Sequence, residues 1–155
     1  MSDERQSIGR DDDKRITSEW DYFYAALMFY TRLPAPKNTN HSTEILNKSR
    51  TYFPLIGIII GLISVITYLA SSLFFSTAIS IALSMVATIL ATGAFHEDGF
   101  ADSCDGLGGG WQAEQVLSIM KDSRVGTYAV IGLMSLLGIK FLALAELSSL
   151  SLIHI

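Results

Sequence analysis

The apolar residues of this chain lie in long blocks rather than at periodic positions. Two consecutive blocks, 53–76 and 77–95, contain no charged residue, and a third block, roughly 127–147, contains only Lys140 and Glu146. A helix of about 20 apolar residues is long enough to cross the hydrocarbon core of a bilayer. Joined as one helix, the first two blocks would be about twice as long as the membrane is thick. The pattern therefore predicts a tight helical hairpin and a third spanning helix.

A shorter apolar and aromatic segment, residues 20–33, precedes the hairpin. It is too short for an ordinary crossing. Its residues Trp20 and Tyr22 are of the types that concentrate where lipid meets water. Pro34 ends the helical pattern. We expect an interfacial or re-entrant helix here, followed by a polar loop over 35–51.

These segments predict an all-α fold over residues 20–155, a polytopic transmembrane helical bundle with the N-terminal interfacial or re-entrant helix and about three spanning helices. Hydrophobic residues make up 50% of the chain, and the formal net charge is −4, which argues against a water-soluble globule. Residues 1–19 carry charges of both signs and are expected to form a disordered acidic head. This head lacks the apolar run of a secretory signal.

Basic residues near the predicted spans set the expected orientation. They precede the first and third spans, and the turn of the hairpin near Ser76 has none. By the positive-inside rule, the N-terminus and the segment 96–126 lie in the cytoplasm. Charges inside a span usually face a protein interior, so this is expected for Lys140, whereas Glu146 is interpreted as reaching to the far interface. The basic residues that support the orientation are Arg32, Lys37, Lys48, Arg50, Lys121 and Arg124.

The segment 96–126 begins with three aspartates at helical spacing. Asp98, Asp102 and Asp105 stand at positions i, i+4 and i+7, which fall on one stripe of a helix. Three carboxylates on one stripe repel each other unless a cation lies between them. Hard oxygen ligands of this kind suit Mg²⁺ or Mn²⁺, which bind one or two carboxylates together with substrate phosphates. The spacing predicts a divalent metal site next to the membrane.

Further candidates for chemistry flank this stripe. Asp122 can complete the metal site and Arg124 can clamp a phosphate, or the two can simply end a helix capped by Gly126. His96 is a candidate base or ligand, or else an interfacial residue. Cys104, the single cysteine, excludes an internal disulfide and is interpreted as a small filler residue.

Several glycines admit a structural and a functional interpretation. Gly57 and Gly61 form a small-xxx-small pair that either packs against another helix or is merely tolerated. Gly99 and Gly106 each follow an aspartate and leave room for a bulky group against the backbone. The run 108–110 can supply amide donors to a phosphate, but it lacks the ending of a P-loop.

Four motifs in this order give the chain a resemblance to a known family. The segment FHEDGFADSCDG at 95–106 resembles the H-x-D-G-x-A-D-x-x-D-G signature of adenosylcobinamide-GDP ribazoletransferases, also called cobalamin synthases. FYTRLPAP at 29–36, YFPLIGIIIG at 52–61 and MKDSRVGTYA at 120–129 are similar to three further elements of that family. The similarity runs from about Tyr22 to the end of the chain. Members of the family are longer, so the resemblance implies a C-terminally truncated chain.

The resemblance implies a Mg²⁺-dependent phosphotransferase of the inner membrane, acting at the end of cobalamin biosynthesis. It would join adenosylcobinamide-GDP to α-ribazole or α-ribazole 5′-phosphate and release GMP. Its partners would be these substrates and membrane lipid, with no nucleic acid, and self-association into a homo-oligomer stays open. The four aspartates Asp98, Asp102, Asp105 and Asp122 would hold the metal ion. Catalytic roles would fall to Asp105 as proton acceptor and to Asp122, Arg124 and His96.

Two other readings of the same residues remain open. A CDP-alcohol phosphotransferase also carries aspartates at a membrane face, and DGFAD at 98–102 is similar to its motif. The motif of that enzyme class has a longer spacer before its last two acidic residues than this chain has. A divalent-cation transporter or a scaffold subunit is the second alternative, although transport usually needs ionisable residues at mid-span. The two blocks between 53 and 95 have none.

Overall fold

The protein is described by a computed structural model that covers residues 18–36 and 42–153. Over these residues the secondary structure is helical, which confirms the predicted all-α fold. A 3₁₀ turn at Arg50–Tyr52 joins the second helix to the third. Residues 1–17 of the predicted head lie outside the described residues. The helices are α1 (Glu19–Tyr30), α2 (Thr43–Ser49), α3 (Phe53–Ser72), α4 (Thr77–Thr92), α5 (Phe95–Gly109), α6 (Ala113–Met120) and α7 (Thr127–Ile153).

Two stretches of the described chain are long and apolar enough to cross a membrane. One is Thr43–Ser72, in which α2, the 3₁₀ turn and α3 continue as one helix, and the other is Thr127–Ser148 in α7. Helices α4 and α5 meet the same criteria only as a pair, and they are bent by 88° relative to each other. Counting that pair as one span gives three spans, which is the number that the sequence predicts. The predicted second span, residues 77–95, covers α4 but not α5, which falls in the predicted cytoplasmic segment.

Helix α1 forms where the sequence predicts an N-terminal helix, and it begins at Glu19, the last residue of the predicted head. Ser18 caps it through a capping box with Asp21, and the Ser18 backbone amide donates to Asp21 Oδ2 at 2.9 Å. The inner face of α1 packs on α3, where Ala26, Leu27 and Ile56 are buried together. The hairpin is thereby held from one side by a short helix.

The predicted polar loop over 35–51 is wrong at its end, because α2 forms there. Ser42 Oγ accepts from the Ile45 amide at 3.4 Å, which caps the helix. Lys48 pairs with Glu44 at 2.9 Å across one turn. Ile45 is buried in the contact between α1 and α2, so tertiary packing supports a helix too short to persist alone.

The sharp bend between α4 and α5 has a local cause. Gly93 (φ 66°) and Ala94 (φ 60°) are both left-handed, and the Ala94 amide donates to the Ile89 carbonyl at 2.8 Å. This is the Schellman ending of a helix, in which glycine carries the left-handed position at no steric cost. The Arg32 side chain lies directly over Gly93, and the Arg32 amide donates to the Ala91 carbonyl at 2.8 Å. The segment before α2 therefore holds the bend in place.

Helix α5 packs antiparallel to the first half of α7. Gly108 lies against the ring of Tyr128, and further back along α5, Cys104 lies against Gly132. A Cβ atom on Gly108 would come within 2.5 Å of Tyr128 Cγ, and one on Gly132 within 2.5 Å of Cys104 Sγ. The two glycines thus allow the close approach of α5 and α7, and Cys104 is a packing residue, as its interpretation as a filler predicts.

Candidate functional site

Helix α5 presents two aspartates that the fold leaves unused. Asp98 is exposed and Asp102 is half-buried, and they stand one turn apart on the same face of the helix. Neither carboxylate makes a hydrogen bond or an ion pair with any residue that the structure describes. Their neighbour Gly99 has no atom within 4 Å of the position where a Cβ would stand. The predicted open space beside this part of the helix is confirmed.

Asp105, the third aspartate of the predicted stripe, is bound to the start of α7. Its Oδ2 accepts from the Gly126 amide at 2.6 Å, and its Oδ1 accepts from the Ala129 amide at 2.8 Å. The first amides of a helix have no partner within the helix, and the helix dipole favours a negative charge at that end. Asp105 is therefore a tertiary cap that joins α5 to α7.

The same contact explains the glycine at position 126. A Cβ there would lie 2.6 Å from Asp105 Oδ1 and 2.9 Å from its Cγ. Only a residue without a side chain lets the carboxylate approach both amides. Gly126 thus stands before α7, and the interpretation that it ends the preceding helix is wrong, because α6 already ends at Met120.

Asp122 and Arg124 form an ion pair in the segment between α6 and α7. Arg124 Nε donates to Asp122 Oδ2 at 2.9 Å, and the Arg124 amide donates to Asp122 Oδ1 at 3.1 Å. Chiefly through the side-chain hydrogen bond, the Arg124 guanidinium holds the pKa of Asp122 below its ordinary value, and Asp122 raises the pKa of Arg124. Arg124 remains 87% exposed at its side chain, which leaves its other donors open to a solute.

Asp105, Asp122 and Arg124 border one open cleft of about 450 Å³. Gly109 at the end of α5 and Tyr128 on α7 also border it. The structure therefore brings three of the predicted site residues together at the C-terminal end of α5. Asp98 and Asp102 precede this cleft along the helix and do not border it.

His96 lies at the other end of α5, within a set of aromatic rings. Its imidazole is nearly parallel to the ring of Phe53, at 12° with centroids 6.2 Å apart, and also contacts Phe95. Phe95 in turn contacts Tyr30 at 6.0 Å. His96 also borders a second cavity, which includes Glu97 and Lys140. His96 is thus separate from the cleft that contains Arg124.

The geometry tests how a divalent ion would fit. No group of three or more His, Cys, Asp or Glu side chains converges on a metal-sized centre among residues 18–36 and 42–153. Asp98 and Asp102 remain as a pair of carboxylates one turn apart. Mg²⁺ usually takes one or two carboxylates and completes its shell with water and substrate phosphates. A two-carboxylate site suits Mg²⁺ better than the four-aspartate cage, and Asp122 stays a predicted ligand without support from this geometry.

Unlike Gly99, the glycines at 106, 108 and 110 serve packing rather than ligand binding. The amide of Gly110 donates to the Gly106 carbonyl at 3.0 Å, so it is not available to a phosphate. A Cβ on Gly106 would come within 2.5 Å of Met120 Cγ, so the predicted space there is wrong. By contrast, Gly57 and Gly61 have no atom within 4 Å of their Cβ positions, and the helix-packing role is not seen in the described residues.

Sequence reasoning missed two residues that the fold places at a cavity. The sequence alone predicts no role for Glu97, and for Lys140 it predicts only a side chain that faces a protein interior. Both border a cavity with Phe53, where α3 begins, and with Thr92, where α4 ends. Lys140 therefore lies level with the α4–α5 bend. The rarity of a charged residue in an apolar block is a signal for Lys140, whereas the sequence gives no signal that links Lys140 to Glu97.

Comparison with known proteins agrees with the motifs. The family model for cobalamin-5-phosphate synthase matches residues 22–155. A protein of Shewanella amazonensis named adenosylcobinamide-GDP ribazoletransferase is 45% identical over 130 residues, which cover 84% of this chain and 50% of that protein. A protein of Vibrio cholerae with the same name is 46% identical over 131 residues, with the same two shares. The chain spans about half the length of the curated relatives it matches. No solved structure matches the chain.

Proposed function

Because this chain belongs to the cobalamin-5-phosphate synthase family, we propose that it carries the phosphoryl-donor site of an adenosylcobinamide-GDP ribazoletransferase. The reaction transfers the adenosylcobinamide phosphoryl group to a hydroxyl of α-ribazole or its 5′-phosphate. A new P–O bond forms to that hydroxyl, the P–O bond to GMP breaks, and the hydroxyl proton is lost. The observation that supports this proposal is the unused pair Asp98 and Asp102 within the family's motif.

Asp98 and Asp102 would hold Mg²⁺. The ion would supply neutralisation of charge on the diphosphate and on the departing GMP. Phosphoryl transfer needs mainly positioning and charge stabilisation, and α5 gives both carboxylates a fixed place on one helix face. Asp105 contributes by fixing α5 to α7, since both of its oxygens accept from backbone amides.

The cleft at the end of α5 is assigned to the acceptor. Arg124 is exposed there and offers a planar set of donors for an anionic phosphate. Asp122 lies beside it and is the candidate that accepts the proton of the attacking hydroxyl. The carboxylates of Asp98 and Asp102 then lie between this cleft and the N-terminal end of α5. The attacking hydroxyl and the departing GMP would thus lie on opposite sides of the phosphorus, toward opposite ends of α5.

Family membership also separates this proposal from its rivals. The match over residues 22–155 is to the cobalamin-5-phosphate synthase family, which gives no support to a CDP-alcohol phosphotransferase, a transporter or a scaffold subunit. We further propose an inner-membrane location with the N-terminus and segment 96–126 in the cytoplasm, supported by the positive-inside pattern. Homo-oligomer formation is compatible with the wide apolar exposure of α7 and rests on no described contact.

The test is GMP release by the chain in lipid nanodiscs. Adenosylcobinamide-GDP, α-ribazole and Mg²⁺ are supplied, and GMP is quantified by chromatography. We expect release by the wild type and a loss of at least about 100-fold in Asp98→Ala, as for removal of a principal source of charge stabilisation. Glu114→Ala removes an exposed carboxylate from α6 and serves as the matched control. Near-normal release by Asp98→Ala, or none by the wild type, would contradict the proposal.

A further inference from the structure

A cavity of about 240 Å³ lies at the N-terminal end of α5, apart from the aspartate pair and the acceptor cleft. It opens where α3 begins, where α4 ends and where α5 turns away from α4. Its apolar and aromatic wall comes from α1 and α3. The residues of that wall are Tyr30, Phe53, Ile56, Gly57 and Ile60.

The polar rim of this cavity consists largely of hydrogen-bond acceptors. Glu97 Oε2 is buried and has no hydrogen-bond partner in the described part of the chain. The hydroxyls of Thr88 and Thr92 already donate to the Met85 carbonyl at 2.8 Å and the Thr88 carbonyl at 3.1 Å. They can therefore offer only lone pairs to a ligand. A buried carboxylate oxygen without a hydrogen-bond partner costs free energy. The rim is therefore complementary to a ligand that brings N–H or O–H donors.

Lys140 provides the opposite polarity on the same cavity. It makes no ion pair with Glu97 or with any other described residue, although both border the space. An ammonium group can only donate. A complementary ligand therefore has donors on one edge and acceptors on another, and it is flat enough to lie against Tyr30 and Phe53. Aromatic walls of this kind stack readily with a nucleobase.

We infer that this cavity binds the guanine base of the GDP-linked substrate and that Glu97 determines the specificity for guanine. The inference rests on the proposed function, which supplies the guanine nucleotide. Guanine has two adjacent donors, N1–H and the N2 amine, for the Glu97 carboxylate, and its O6 and N7 accept from Lys140. Adenine and cytosine each place a ring acceptor beside their amine, and that acceptor would face the carboxylate.

The position of Glu97 in the chain fits this assignment. Asp98 follows it directly on α5, and Asp102 stands one turn further on. A base held at Glu97 leaves the attached diphosphate beside these two carboxylates. Asp105 lies eight positions after Glu97, about 12 Å along the helix, so the base site, the aspartate pair and the acceptor cleft follow one another along α5.

A steric test uses two glycines of α3. Gly57 borders the cavity, and neither it nor Gly61, one turn later, has an atom within 4 Å of its Cβ position. A Cβ at either glycine meets no atom, so Gly57→Leu is expected to place its side chain in the cavity, and Gly61→Leu makes the same exchange outside it. Binding of a fluorescent GDP derivative to the whole chain in nanodiscs is measured with Mg²⁺ present. We expect at least about 10-fold weaker binding for Gly57→Leu and unchanged binding for Gly61→Leu. Equal effects of the two exchanges would overturn the inference.

A specificity test uses Glu97→Gln. The amide keeps one acceptor but presents a donor to a donor edge of guanine, whereas glutamine pairs well with adenine. Competition by GDP, ADP and CDP is measured against the same probe. We expect GDP to lose about 10- to 100-fold in affinity while ADP is unchanged or gains. An unaltered preference for GDP in Glu97→Gln, or no preference in the wild type, would overturn the inference.

The two proposals can fail separately. A chain that binds GDP through Glu97 but releases no GMP from adenosylcobinamide-GDP would contradict the proposed function and leave the base site in place. If the wild type releases GMP but Glu97→Gln keeps the preference for GDP, the base site would be contradicted and the proposed function would stand. GMP release and GDP binding are measured on the same nanodisc preparation, so the folded fraction and the lipid content are the same in both assays.

Discussion

Removal of the Asp105 carboxylate should loosen the start of α7 in a way that needs no metal ion. The carboxylate accepts from the Gly126 amide at 2.6 Å and from the Ala129 amide at 2.8 Å, and the residue is half-buried between α5 and α7. Asp105→Ala leaves both amides without a protein partner. Asp105→Asn keeps one acceptor oxygen and turns its amide group toward the second donor.

The magnitude follows from the number and type of the bonds. A hydrogen bond to a charged group contributes about 1.5–3 kcal/mol, and the half-buried position favours the lower end. Two such bonds give about 3 kcal/mol for Asp105→Ala, and the loss of one gives about 1.5 kcal/mol for Asp105→Asn. Because about 1.4 kcal/mol corresponds to a factor of ten, protection of the amides near 126–130 should fall roughly 100-fold and 10-fold.

Hydrogen exchange followed by mass spectrometry measures this protection in nanodiscs without divalent ions. Asp98→Ala is the matched control, because Asp98 lies on the same helix and is exposed without a described partner. Loss of protection in the Asp105 variants alone is expected. Unchanged protection in Asp105→Ala would refute the capping role. The same conclusion would follow if the wild type were protected only when a divalent ion is present.

Two further predictions concern packing and charge around the site. Gly108→Ala should destabilise the α5–α7 contact, since the new Cβ would meet the Tyr128 ring at 2.5 Å. Gly99→Ala should be neutral or stabilising by up to about 1 kcal/mol. Thermal unfolding in nanodiscs compares the two variants, and equal shifts in their unfolding temperatures would contradict the proposed packing of Gly108. Arg124→Met should return the pKa of Asp122 upward, because the side-chain hydrogen bond that lowers it is lost. In the wild type the ion pair therefore stabilises the fold above the ordinary aspartate pKa, and this stabilisation is lost as the pH falls through the lowered pKa of Asp122. A carboxyl NMR titration that gives the same Asp122 midpoint in both proteins would contradict this.

The sequence was sufficient for the helices that burial in lipid dictates. The uncharged block 53–76 became α3, and the third block became α7, because each is apolar for the full width of a bilayer. The short helix α2 was missed, since its polar face resembles a loop and its stability comes from the buried contact of Ile45. The 88° bend after α4 was also missed. It depends on the left-handed pair Gly93 and Ala94 and on Arg32, a residue distant in sequence.

The site was predictable as a set of residues but not as an arrangement. Helical spacing correctly placed Asp98 and Asp102 on one face of α5. The same spacing could not show that Asp105 would meet the amides of α7, because that contact depends on where Gly126 lies in three dimensions. A role for Glu97 could not be predicted for the same reason, since only the three-dimensional fold shows that this carboxylate borders a cavity.

The central claim is that Asp98 and Asp102 together hold the divalent ion that meets the diphosphate. Mn²⁺ binding followed by electron paramagnetic resonance, with GDP present and the chain in nanodiscs, tests it most directly. The account predicts that the wild type and Asp105→Asn bind Mn²⁺ alike, whereas Asp98→Ala and Asp102→Ala each weaken binding at least about 10-fold, a typical effect of losing one carboxylate ligand. Undiminished Mn²⁺ binding by the double variant of Asp98 and Asp102 would contradict the account.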